Sequence, residues 1–159
     1  MQTPYNLQNL PKIPSSRVAI LQAKWYSEIT DSLVEKATFV LREAECEYIE
    51  HHILPGSLEL PLAAKTLIET SGKTYDAIIC VGGIIKWETL HFEMITNECM
   101  RWLGQVMMEK NVPIIVEVLP VLKLEHLQAR CADNEYNKGY EAGMAAVEII
   151  AWRRNIKQR

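Results

Sequence analysis

The chain has 159 residues, of which 48% are hydrophobic and 23% charged, and its formal net charge is −3. A domain of this size buries roughly 70% of its unfolded surface, so it can fold without disulfides or a structural metal, and with no basic stripe it has no footprint for nucleic acid. No apolar run reaches the ~18 residues that span a bilayer, so no membrane segment is expected.

Residues 1–16 carry Pro4, Pro11 and Pro14 and show no apolar period. They read as an extended arm, either frayed or pinned onto a neighbouring subunit, ahead of a single α/β domain over residues 17–159. The arm lacks the basic start and apolar stretch of a signal peptide. Val18 to Leu21 is a short apolar run suited to a strand buried on both faces. After Ser27, a candidate N-cap, Ile29, Leu33, Ala37, Val40 and Leu41 recur at helical spacing to about Ala44. Residues 47–54 return to strand character, and Pro55-Gly56-Ser57 reads as a turn. Leu60, Ala63, Ala64, Leu67 and Ile68 form a second helical face, closed by Gly72. Ala77 to Val81 is the clearest buried strand, and Gly82-Gly83 frees the backbone after it. A long helix is expected over residues 89–110, with Phe92, Ile95, Cys99, Leu103, Val106 and Met107 inward. Residues 113–119 form a fourth strand ended by Pro120. A short helix follows over residues 124–132, and a last one begins near Asn137. Cys46, Cys80, Cys99 and Cys131 include no CxxC pair and read as buried free thiols of a cytoplasmic protein.

Alternation of strand and helix predicts a flavodoxin-like α/β fold: a doubly wound, four-stranded parallel sheet with helices on both faces. Such folds bind ligands outside the carboxyl ends of the strands, where strand order switches. That rule selects the loops at residues 22–27, 55–59, 82–91 and 120–124. Trp25 in the first is an aromatic that can stack on a flat ring or pack at the core edge. Ser57 opens a helix whose free N–H groups favour oxygen acceptors, or it serves only as a capping turn with Glu59. His91 sits beside Glu93 at a helix start; it is a surface or cap residue, or a proton carrier. Arg130 can grip a phosphate or carboxylate, or line a solvated helix face. His51 and His52 are adjacent on a strand, point to opposite faces and cannot readily share an ion, so no metal site is expected.

Pro55-Gly56-Ser57-x-Glu59-x-Pro61, Tyr75-Asp76-Ala77, Ile85-Lys86-x-x-Thr89-x-His91-Phe92-Glu93, and Arg130 followed by Asn137-Lys138-Gly139 together resemble the lumazine synthase family. The likeness runs from about Arg17 to Trp152. It implies a transferase of riboflavin biosynthesis that joins 5-amino-6-ribitylaminouracil to 3,4-dihydroxy-2-butanone 4-phosphate, yielding 6,7-dimethyl-8-ribityllumazine, phosphate and water with no cofactor. It further implies sites between the subunits of a homopentamer, which in many members assembles into a sixty-subunit icosahedral shell. The six residues between Arg130 and Asn137 resemble shell-forming members.

By the same resemblance, Trp25 matches the aromatic that stacks on the pyrimidine. Ser57 and Glu59 match the positions that hold the ribityl chain. Val81, Gly83, Ile84 and Ile85 line the pyrimidine, His91 transfers protons, and Thr89 with Arg130 of the adjacent subunit binds phosphate. Lys138 matches a lysine near that phosphate, and Val116 stands where the family usually places an aromatic wall. Trp87 replaces a usual glycine, Tyr26 replaces a common asparagine, Glu117 adds an anion and Pro120 removes a donor. These departures define a second reading: a diverged or engineered member kept as an assembling scaffold or ligand binder. Trp87 and Glu117 both pointing into the cleft would favour it. A flavodoxin-like response or cofactor module is not supported, because no acidic phospho-acceptor cluster or phosphate-cradling loop follows the first strand.

Overall fold

In the computed structural model, residues 6–157 are described. The elements in chain order are β1 (Arg17–Ala23), α1 (Ser27–Glu43), β2 (Tyr48–Leu54), a 3-10 turn (Ser57–Glu59) leading into α2 (Leu60–Thr70), β3 (Ala77–Ile85), α3 (His91–Lys110), β4 (Ile114–Val121), α4 (Leu124–Arg130) and α5 (Lys138–Lys157). All strand pairs are parallel, in the order β2-β1-β3-β4. The chain leaves β1 for β2 on one side and returns across it to β3 on the other, so the switch in strand order lies between β1 and β3.

The continuous apolar runs of β1 and β3 are buried because both faces are covered, and period 2 splits their side chains between two cores. Val18, Ile20, Ile79 and Val81 pack with α1, α4 and α5, through residues such as Leu33, Val40, Leu127 and Ile150. Ala19, Leu21, Ile78 and Cys80 pack with α2 and α3, through Leu60, Ala64, Cys99 and Leu103. Helices α1 and α5 approach closely because Gly139 and Gly143 lack side chains: a Cβ on Gly139 would lie 2.3 Å from the Leu33 carbonyl oxygen. Asn137 caps α5, its Oδ1 accepting from Gly139 N at 2.8 Å while its amide donates to Ser32 Oγ and the Ala132 carbonyl. All four cysteines are free and buried.

Three sequence expectations need correction. Ser27 does not cap α1; it is the first helical residue, and Tyr26 takes the N-cap position with no side-chain capping bond. Strand β3 does not stop at Val81; it continues through Gly82 and Gly83 to Ile85, paired with β4 along that length. The glycines serve close packing rather than unusual dihedrals, since a Cβ on Gly83 would meet Leu127 Cδ2 at 2.6 Å. Nor does Pro120 end β4, which runs on to Val121. Ile78 N donates to Pro113 O and Lys86 N to Val121 O, so odd-numbered residues of β4 aim their main-chain groups at β3. Pro120 therefore lacks its N–H on the open side of an edge strand, where no ladder bond is lost.

Within the arm expected over residues 1–16, residues 1–5 lie outside the described residues. Residues 6–16 form no helix or strand. Ile13 is fully buried, its N–H donating to the Ala44 carbonyl, and Leu7 and Leu10 pack on the core. Among the described residues no helix is long and apolar enough to cross a membrane.

Candidate active site

A cavity of about 620 Å³ opens at the carboxyl ends of β1 and β3, at the switch point and within the size range of small-molecule sites. Local geometry explains how each wall is presented. Lys24 N closes on the Leu54 carbonyl at 2.8 Å. Tyr26 then turns into α1 with a left-handed φ of 63°, and the tight turn leaves the Trp25 indole 70% exposed. Gly56 lets that indole and the Glu59 carboxylate crowd the next loop: a Cβ there would lie 3.0 Å from Glu59 Oε2 and 3.6 Å from Trp25 Cδ1.

Ser57 is buried as the first residue of the 3-10 turn, so it is not the N-cap; Gly56 takes that place. The Cys99 thiol donates to the Ser57 carbonyl at 3.2 Å and pins this loop to α3. Gly82 allows Ser57 to sit against β3, where an added Cβ would lie 3.3 Å from Ser57 Oγ. The far wall is the loop from Lys86 to the start of α3. Thr89 Oγ1 accepts from the His91 backbone N–H at 3.4 Å. Lys86 pairs with Glu93 at 2.8 Å and holds its carboxyl below the usual carboxylate range.

Of the residues singled out in the sequence, Trp25, Ser57, Glu59, Gly83, Ile84 and Ile85 line this cavity together, joined by Thr89 and His91. Val81, Val116, Arg130 and Lys138 do not line it. Val81 is fully buried in the core beneath, and Val116 is exposed on the edge strand. Arg130 donates to the His126 carbonyl of its own helix, and Lys138 pairs with Glu141. Sequence reasoning did not assign Tyr26, Leu58, Phe92 and Ile95 to the site, yet they line it too. The helical period already turned Phe92 and Ile95 inward, and the first turns of α3 lie beyond the end of β3, where inward means toward the cavity.

Trp87 lines the cavity, but Glu117 does not. On β4, Glu117 shares its face with Ile115 and Leu119, which pack on the α1, α4 and α5 side. Burial there raises its carboxyl to about pH 7 as a pKa, with Glu141 pushing it further up and Lys138 opposing. The condition that would favour the scaffold reading is thus not met. Among the described residues no group of His, Cys, Asp or Glu is arranged to hold a metal.

Arranged this way, the cavity offers exposed indoles at Trp25 and Trp87, a hydroxyl and a carboxylate at Ser57 and Glu59, and an imidazole at a helix start. That set suits a flat heterocycle with a polar tail and a reaction that moves protons. The family model of 6,7-dimethyl-8-ribityllumazine synthase matches residues 15–154. A 6,7-dimethyl-8-ribityllumazine synthase from Pectobacterium atrosepticum is 34% identical over 155 residues, covering 95% of this chain and 98% of that protein. Another of that name, from Nitrobacter hamburgensis, is 31% identical over 153 residues, covering 94% and 93%. With that match running from β1 into α5, the chain belongs to the 6,7-dimethyl-8-ribityllumazine synthase family.

Proposed function

We propose that this chain condenses 5-amino-6-ribitylaminouracil with 3,4-dihydroxy-2-butanone 4-phosphate to give 6,7-dimethyl-8-ribityllumazine. The observation that carries the reading is the single cavity in which Trp25, Ser57, Glu59, Thr89 and His91, from three separate loops, converge within a family match over nearly the whole chain. In this reading the pyrimidine stacks on Trp25, with backbone groups from Gly83 to Ile85 along its edge. Ser57 and Glu59 hold the ribityl hydroxyls. The pyrimidine amine attacks the ketone, water leaves to give a Schiff base, phosphate is eliminated, and a second loss of water closes the new ring. Each step moves a proton, which His91 accepts or returns.

The leaving phosphate needs donors and a cation. Thr89 supplies a hydroxyl at the helix start; Arg130 of an adjacent subunit supplies the cation, with Lys138 nearby. The separation of Arg130, Lys138 and Val116 from the cavity of their own chain supports a homopentamer with sites between subunits. Exposed Leu90, Met94 and Met108 on and beside α3 also favour association. A sixty-subunit shell is the further assembly we favour, and buried free thiols suit a reducing cytoplasm.

Purified protein given both substrates should generate lumazine fluorescence. Intact, assembled protein that yields none would refute the catalytic reading.

A further inference from the structure

Trp87 is 70% exposed, as exposed as Trp25, and both line the same cavity. Trp25 comes from the end of β1; Trp87 comes from the loop that carries Thr89 and His91. That loop is short and held at both ends. Lys86 N donates to the Val121 carbonyl at 2.9 Å, the Lys86 side chain pairs with Glu93, and Met94 N donates to the Leu90 carbonyl at 3.2 Å. Yet among the described residues Trp87 has no hydrogen bond or ring partner of its own. Trp102 differs, with its Nε1 donating to Glu98 and Arg101 lying over its ring. The fold fixes where Trp87 stands without burying it, so its apolar surface is available to whatever fills the cavity.

We propose that Trp87 is a specificity-determining residue that grips the ring formed in the reaction and so favours the bicyclic product over the pyrimidine substrate. This rests on the catalytic reading above. If the pyrimidine lies on Trp25 and the carbon donor enters beside Thr89 and His91, the second ring is built on the Trp87 side. Neither substrate carries that ring. An indole there contacts the product's new face and gains little from the pyrimidine alone. Aromatic stacking on a flat heterocycle is worth about 5- to 150-fold in affinity.

Calorimetric titration of the assembled full chain with 6,7-dimethyl-8-ribityllumazine and, separately, 5-amino-6-ribitylaminouracil tests this. Trp87→Gly should weaken lumazine binding about 5- to 150-fold and pyrimidine binding less than about twofold, and Trp87→Phe should restore most of the loss. Lumazine affinity unchanged by Trp87→Gly, or both ligands weakened alike, would overturn the proposal. If Trp25→Ala loses both ligands while Trp87→Gly loses neither, the catalytic reading stands and this inference falls. If the unmodified protein binds neither ligand, both fall.

Discussion

Replacing Gly83 with alanine puts a methyl group where there is no room for it. Its carbon would lie 2.6 Å from Leu127 Cδ2 and 3.1 Å from Cδ1, whereas carbon atoms rest at about 3.5–4.0 Å. Leu127 is fully buried on α4, so it must move by roughly 1 Å in a close-packed interior. Overpacking of this kind costs about 1–3 kcal/mol, or about 2–4 °C in melting temperature for each kcal/mol at this chain length. Leu127→Ala alone leaves a cavity and costs about 2–5 kcal/mol. Combined, the new methyl occupies part of the space Leu127 vacates, so the double variant should be more stable than the sum of the two losses, by about 1–3 kcal/mol. Urea unfolding at one fixed protein concentration measures all four corners, the concentration being held because association adds to apparent stability. Additivity within about 0.5 kcal/mol would refute the idea that Gly83 is required by Leu127.

Glu50 receives Arg17, Lys73 and Tyr75, which outweigh the cost of its burial and lower its carboxyl pKa to about 2. A depressed carboxyl stabilises the fold above its unfolded value of 4.5, and that contribution disappears as pH falls from there toward about 2. Full conversion would give about 3 kcal/mol; allowing for the half-exposed Lys73, roughly 1–2 kcal/mol is expected, and an acid-unfolding midpoint unchanged by Glu50→Gln would contradict it. His91→Ala should lower kcat by about 10²-fold or more while leaving KM for the pyrimidine within a fewfold; single-turnover kinetics with unchanged rates would remove His91 from the chemistry. Arg130→Ala should raise KM for the phosphate substrate more than KM for the pyrimidine, and equal effects on both would exclude its assigned role.

Elements defined by apolar period were readable from the sequence alone. The runs Val18 to Leu21 and Ala77 to Val81 sit under helices on both faces, and α3 turns Cys99, Leu103 and Val106 inward as its spacing requires. The errors fall where one residue type serves two purposes. Gly82 and Gly83 look by composition like a stretch of freed backbone past the strand end, but their value is the space they leave for Ser57 and Leu127, a long-range property. Pro120 looks like a terminator, because nothing local says that its missing N–H falls on an open edge. Period 2 places Glu117 with Ile115 and Leu119, but cannot say which face of the sheet that is; the return of α5 over β4 decides it. The cavity loops were legible because the switch-point rule depends on element order rather than on side chains. Exposure of the two indoles was not, since only the turn at Tyr26 and the pinned loop after Ile85 set it.

Pro120 also makes the two edges of the sheet unequal. An incoming strand at β4 meets a missing donor near the end of the row. At β2, residues 48–54 contain no proline, and Ile53 is exposed there, so the ladder can accept a full row of partners. When the protein is partly unfolded by heat or acid, strand-to-strand growth should therefore begin at β2 and propagate in one direction. Charged substitutions along β2 would slow fibril formation, whereas the same changes on β4 would alter it little.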